Sequence, residues 1–123
     1  MTGSGTVANA FSLCKSVVES DDSILIAALL DNNESIGWFV RPGTPIPNED
    51  ATGIKVTQTT IVTSIIKQNE NYLGKVGYVL VHQELADVIL FPKSGKIVLC
   101  VVIIRPYELE SIVSKVSSAL DSI

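Results

Sequence analysis

The sequence has little charge, and its basic residues are scattered. Lys, Arg, Asp and Glu make up 18% of the 123 residues, against 46% hydrophobic residues, whereas about 25% of an average domain is charged. The nine basic residues stand singly along the chain, so none of them builds the local positive potential that binds nucleic-acid phosphates or anionic membranes. We therefore expect no nucleic-acid partner and no membrane insertion, and we expect a second subunit to cover part of the apolar excess.

Long apolar runs are also missing. The longest are residues 24–30 and 97–104, far short of the roughly 18 residues that a membrane span needs. Residues 1–6 are small and polar and lack the basic and apolar regions of a secretory signal. The sequence therefore predicts a cytoplasmic protein whose first five residues are flexible.

Histidine and cysteine, two residues that commonly carry catalysis or bind metals, are few. His82 is the single histidine, and Cys14 and Cys100 are the two cysteines, each within an apolar pattern. We expect both thiols in the core, and no metal site, since zinc and similar ions need several such ligands. Glu84 and Asp87 are close in sequence, but nothing in the sequence fixes them around one point. No Gly-x-Ser-x-Gly elbow or phosphate-binding loop is present. We therefore expect no enzyme, no cofactor and no catalytic residue.

The spacing of apolar residues predicts a helix near each end and five strands between them. Apolar residues recur at steps of three and four over 6–19 and 106–122, as on one face of a helix. In the first of these helices, the apolar face includes Phe11. The predicted strands cover 23–30, 35–41, 75–83, 86–91 and 96–105. The first and last of these are apolar without alternation, which favours central strands covered on both faces. Three prolines predict a loop at 42–52.

The segment 53–71 is harder to interpret. Its many β-branched residues favour a strand. However, a strand would mix polar and apolar side chains on each face, whereas a helix would place Ile54, Ile61 and Ile65 on one face. Gly74 is a plausible helix terminator after it. We predict a helix, which makes the order α-β-β-α-β-β-β-α in one α+β domain spanning residues 1–123.

This order, together with two stretches of sequence, resembles the roadblock (dynein light chain) superfamily of profilin-like proteins. Residues 73–81 read Leu-Gly-Lys-Val-Gly-Tyr-Val-Leu-Val and look like that family's helix exit and third strand; residues 88–99 look like its closing hairpin. The chain is also similar to short archaeal proteins of this design, over about residues 7–121. The resemblance implies a five-stranded antiparallel sheet in the order 2-1-5-4-3, with the middle helix on one face and the terminal helices on the other.

The resemblance also implies a function. Roadblock proteins generally pair as dimers through their middle helices and third strands, and serve as scaffolds or as regulators of small GTPases. We accordingly expect a non-catalytic homodimeric interaction module, with itself and a small GTPase or another protein as partners. The expected dimer interface contains Val62, Ile66, Val76, Tyr78 and Leu80. The alternative is a small-molecule sensor with a pocket between the sheet and the threonine-rich middle helix.

Overall fold

The predicted order of elements is confirmed over the residues described. The computed structural model describes residues 3–32, 34–44, 70–93 and 97–122. Its elements are α1 (Gly3–Glu19), β1 (Ile24–Asp31), β2 (Glu34–Val40), α2 (Glu70–Leu73), β3 (Val79–His82), β4 (Asp87–Pro92), β5 (Ile97–Ile103) and α3 (Leu109–Asp121). The predicted middle helix lies outside the described residues, except for its end from Glu70, which is helical.

The five strands form one antiparallel sheet in the order β2-β1-β5-β4-β3, as expected. The two apolar runs without alternation, β1 and β5, lie side by side in its interior. β2 and β3 are the two edge strands among the described residues. A bulge between Leu29 and Leu30 shifts the register of β1 against β2.

Both faces of the sheet are buried. On the first face, α1 and α3 pack against residues such as Leu29, Phe91 and Val101. The opposite face forms a second buried cluster, whose members are Ile26, Val88, Leu90, Val98, Cys100 and Val102. Burial on both sides explains why the central strands lack an alternating polar pattern. Cys14 lies on the first face, so both thiols are in the core, as predicted.

Gly37 allows α1 to lie directly on β2. A Cβ atom added at Gly37 would stand 2.6 Å from the Cβ atom of Ala10, closer than side chains pack. The thiol of Cys14 donates a hydrogen bond to the Gly37 carbonyl over 3.6 Å. At the far end of β2, the Arg41 guanidinium donates to the carbonyls of Val18, Ile24 and Asp21. Contacts at the middle and at the end of β2 therefore fix the position of the helix over this edge strand.

Some predicted details are wrong. The C-terminal helix begins at Leu109 after the cap residue Glu108, so Pro106 precedes it rather than occupying its first turn. The third strand begins at Val79 instead of residue 75. Phe11, assigned to the buried face of α1, is 48% exposed, and Leu13 is buried. The spacing of apolar residues predicted the helix, but it did not show which residues lie at the margin of its buried face.

Candidate interaction edge and the polar cluster at its end

Strand β3 is a short edge strand with different environments on its two sides. It pairs with β4, with Val79 opposite Leu90 and Val81 opposite Val88. Val79 and Val81 pack against the second-face cluster. The alternate positions point to the first face, where Leu80 is 36% exposed. The strand thus presents apolar side chains to solvent beside its outer backbone edge.

The three described residues of the predicted interface lie along this edge. Val76 is half-buried, and Tyr78 and Leu80 are exposed. The Tyr78 ring also contacts Phe91, with the ring centroids 6.2 Å apart, which holds it against the sheet. The other two, Val62 and Ile66, lie outside the described residues. We refer to residues 76–82 as the β3 edge.

Short helix α2 adds two apolar side chains that the sequence analysis did not select. Tyr72 is 88% exposed and Leu73 is 82% exposed. Gly74 then ends the helix as predicted, with φ of 84° and its N–H donating to the Glu70 carbonyl over 2.9 Å. The positive φ suits glycine, which has no Cβ atom to clash. The chain reaches the β3 edge directly after these two residues.

At the end of β3, three side chains converge on a buried carboxylate. Asp87, at the start of β4, is 3% exposed. One of its oxygens accepts a hydrogen bond from the Tyr107 hydroxyl over 2.6 Å. The other lies 2.9 Å from Nδ1 of His82 and is paired with the Arg105 guanidinium. Arg105 also donates to the Glu84 carbonyl over 2.6 Å. The cluster ties β3, β4, their connecting turn and the segment after β5 together.

These contacts determine the ionisation of the cluster. Burial by itself would raise the pKa of Asp87, but the hydrogen bonds from Tyr107 and His82 and the charge of Arg105 outweigh it, so that pKa lies below its ordinary value of 3.8. Partial burial and the bond to Asp87 raise the pKa of Tyr107 to about 12. At neutral pH, the centre of the cluster is therefore an ionised Asp87 beside a neutral phenol and a cationic guanidinium.

Comparison with known proteins identifies the fold. No protein-family model matches the chain, and no curated protein matches it. Solved structures do match. A roadblock/LC7 domain from Streptomyces avermitilis is 13% identical, with a TM-score of 0.75, over 90% of this chain and 91% of that one. Myxococcus xanthus MglB is 11% identical, with a TM-score of 0.71, over 94% and 84%. An MglB structure described as having a tetrameric arrangement is 10% identical, with a TM-score of 0.74, over 99% and 89%.

The chain has the roadblock/LC7 fold. The resemblance seen in the sequence is thereby confirmed at the level of the fold, including the strand order. In this roadblock fold, the β3 edge is the outer strand on the side away from β2.

The polar cluster was missed by the sequence analysis, although the sequence carries a signal for it. Asp87 directly precedes the apolar run 88–91, and Arg105 directly follows the apolar run 97–104. Because β4 and β5 are antiparallel, with Asp87 opposite Ile103, the start of one strand meets the end of the other. His82 is exposed at the end of β3, with 69% of its side chain accessible. Its described partners are a carboxylate and, at 3.3 Å, Arg105, so its ring takes part in the contacts that join the end of β3 to β4 and to the segment after β5.

Among the described residues, no three His, Cys, Asp or Glu side chains are grouped so that they could hold a metal ion. No helix in the same ranges is long and apolar enough to cross a membrane.

Proposed function

We propose that this chain is a non-catalytic protein-interaction module that forms a two-fold homodimer through the β3 edge. The observation that carries the proposal is the outer strand itself. Residues 76–81 contain no charged side chain, and Tyr78 and Leu80 remain exposed beside the outer backbone groups. An uncharged edge strand of this kind is a template for pairing with another strand.

Pairing two copies of the β3 edge would join the two sheets into one. The backbone N–H and C=O groups of each edge would then find partners, and a two-fold axis would place the same residues on both sides. Tyr72 and Leu73, both largely exposed, lie just before this strand in the chain and add apolar area. Val62 and Ile66 remain part of the proposed interface. A stable interface would bury about 1,600 Å² in total.

The test of this surface is a pair of charge substitutions on the two opposite edges. Leu80→Glu places a carboxylate beside its symmetry mate in the proposed interface, and we expect dimerisation to weaken at least about tenfold because the charges repel and lose water. Trp38→Glu, on the opposite edge strand β2, introduces the same charge at a residue of similar exposure and should leave the dimer intact. Sedimentation equilibrium measures both. Equal dimerisation of the two variants would contradict the choice of the β3 edge.

The proposed partner of the dimer is a small GTPase. The support is the roadblock fold, which is used in regulators of small GTPases. The test is to mix the purified chain with each small GTPase of its own source organism, loaded with GDP or with a non-hydrolysable GTP analogue. Binding that depends on the nucleotide supports the proposal, and the absence of binding to every such GTPase in both states would refute it while leaving the homodimer unaffected.

A further inference from the structure

The opposite edge of the sheet carries a second uncharged strand with exposed aromatic residues. β2 pairs with β1 alone among the described residues. Residues 35–40 of this seven-residue strand have no charge and no proline, the two features that usually protect an edge from pairing. Trp38 is 48% exposed on it. We call β2, Phe11 and Trp38 the β2 edge.

The aromatic side chains of the β2 edge lie on both faces of the sheet. Phe39 belongs to the first face and packs edge-to-face against Phe11 of α1, with the ring centroids 5.8 Å apart. Trp38 directly precedes Phe39 in the strand and therefore points to the second face, where it lies opposite Ala28 of β1. An extended chain added to this edge would meet Phe11 on one face and Trp38 on the other.

The structure fixes the position of Phe11 before any partner arrives. Ala10 sits against Gly37 so closely that there is no room for a Cβ atom, and this contact places the neighbouring Phe11 over the edge. Rigid, partly exposed aromatic side chains are favoured anchors in interfaces because little conformational entropy is lost when they are covered.

Charge at one end of the β2 edge indicates the chemistry of the occupant. Asp31 and Glu34 are opposite each other in the register of the β1–β2 hairpin, and both are exposed. Like charges directly across a strand pair are destabilising, and no described residue forms a salt bridge with either of them. A lysine or arginine brought to this end by a partner would relieve the repulsion.

From these observations we infer that the β2 edge is a docking site for an extended segment of another protein. The segment adds as a sixth strand, covers Trp38 and Phe11 with apolar side chains on its two faces, and places a basic residue beside Asp31 and Glu34. When a peptide adds to a sheet edge in this way, backbone hydrogen bonds supply the affinity. The side chains at alternate positions of the peptide, which contact the two faces of the sheet, supply the specificity. The site is on the edge away from the proposed homodimer contact, so a dimer would offer two such sites.

The probe is a random library of 12-residue peptides displayed on phage and selected on the full-length chain. We expect enriched peptides with alternating apolar residues and a basic residue. The most enriched one, made synthetically, should shift the backbone amide resonances of residues 35–40 and the Trp38 indole. Replacing its central residue by proline should abolish binding, because proline cannot complete a strand ladder.

Variants of the chain locate the contact. Trp38→Ala and Phe11→Ala should each weaken binding of this peptide at least about tenfold, and Glu34→Gln should weaken it and reduce its salt dependence. Leu85→Ala is the control, since Leu85 is 86% exposed in the β3–β4 turn. Circular dichroism checks that each variant is folded.

Three outcomes would overturn the inference. One is a selection that enriches no peptide over an uncoated surface. Another is an enriched peptide that binds the Trp38→Ala and Phe11→Ala variants as tightly as the unmodified chain. The third is assembly of the unmodified protein beyond a dimer that Trp38→Ala abolishes, which would make a second copy of the chain the occupant of the β2 edge. If Leu80→Glu abolishes the homodimer, we expect binding of this peptide to remain unchanged. The homodimer proposal and the β2-edge proposal can therefore be refuted independently.

Discussion

Replacing Asp87 by Asn tests whether the buried carboxylate holds the β3 end of the sheet. The substitution keeps the size of the side chain but removes its charge and one acceptor oxygen. Asp87 is 3% exposed, so the lost interactions are not replaced by direct contact with water. Tyr107 would lose a 2.6 Å hydrogen bond or share the remaining acceptor with Arg105.

The expected loss in the free energy of unfolding depends on how exposed each hydrogen-bond partner of Asp87 is. A hydrogen bond to a charged group contributes about 1.5–3 kcal/mol, and the partly buried Tyr107 should retain most of that. The side chains of Arg105 and His82 are 35% and 69% exposed, so each adds about 1 kcal/mol or less. We expect Asp87→Asn to lower the free energy of unfolding by about 2–4 kcal/mol and Tyr107→Phe by about 1–2 kcal/mol. The double variant should cost less than the sum, because both changes remove one shared bond.

Urea unfolding followed by far-ultraviolet circular dichroism measures these values, at one protein concentration because dimerisation would shift the midpoint. The pH dependence gives a second check. Since the pKa of Asp87 is lowered by folding, its stabilisation is present above the ordinary value of 3.8 and is lost as the pH falls through the folded-state value. The difference between the unmodified chain and Asp87→Asn should therefore shrink in acid.

Asp21→Asn is the matched control. The backbone N–H of Ser23 and the ammonium of Lys115 also lower the pKa of Asp21, but Asp21 is more exposed, so we expect its loss to cost about 1 kcal/mol or less. If Asp87→Asn cost no more than Asp21→Asn, or if its effect did not change with pH, the assignment of Asp87 as the centre of the cluster would be refuted.

Two further predictions concern the core. Gly37→Ala should destabilise the fold by about 1–3 kcal/mol, because the new methyl group meets Ala10 at 2.6 Å. Gly77→Ala, with nothing within 4 Å in the same chain, should change the urea midpoint little when both variants are made in the Leu80→Glu background, where the proposed dimer contact is weakened. Equal effects would contradict the close packing of α1 on β2. Burial raises the pKa of Cys14 to about 12, and Cys100 is 1% exposed, so mass spectrometry should find neither thiol alkylated by iodoacetamide at about pH 8 before urea unfolds the chain. Rapid alkylation of the folded protein would show that the thiols are accessible.

The sequence predicted the parts of the fold that depend on repeated patterns. The apolar runs of β1 and β5 lack alternation because both faces are buried, and this is enough to place them in the interior. Gly74 ends α2 because its positive φ excludes most other residues, and that requirement can be recognised locally. The strand order itself came from the resemblance, since no local pattern specifies which strands are neighbours.

The details that failed depend on tertiary contacts. Phe11 was expected on the buried face of its helix, but it lies, like Trp38, at the edge of the sheet, and both side chains are 48% exposed. Asp87 acquires its role from Tyr107 and Arg105, which are 20 and 18 residues away in the sequence. Neither edge exposure nor a distant hydrogen bond leaves a periodic signal in a single sequence.

The molar mass of the unmodified protein in solution tests the central claim most directly. One chain has a mass of 13.2 kDa. Light scattering at micromolar concentration should give 26.4 kDa, twice that value, if two copies join through the β3 edge. A mass of 13.2 kDa throughout the micromolar range would contradict the homodimer and with it the proposed function.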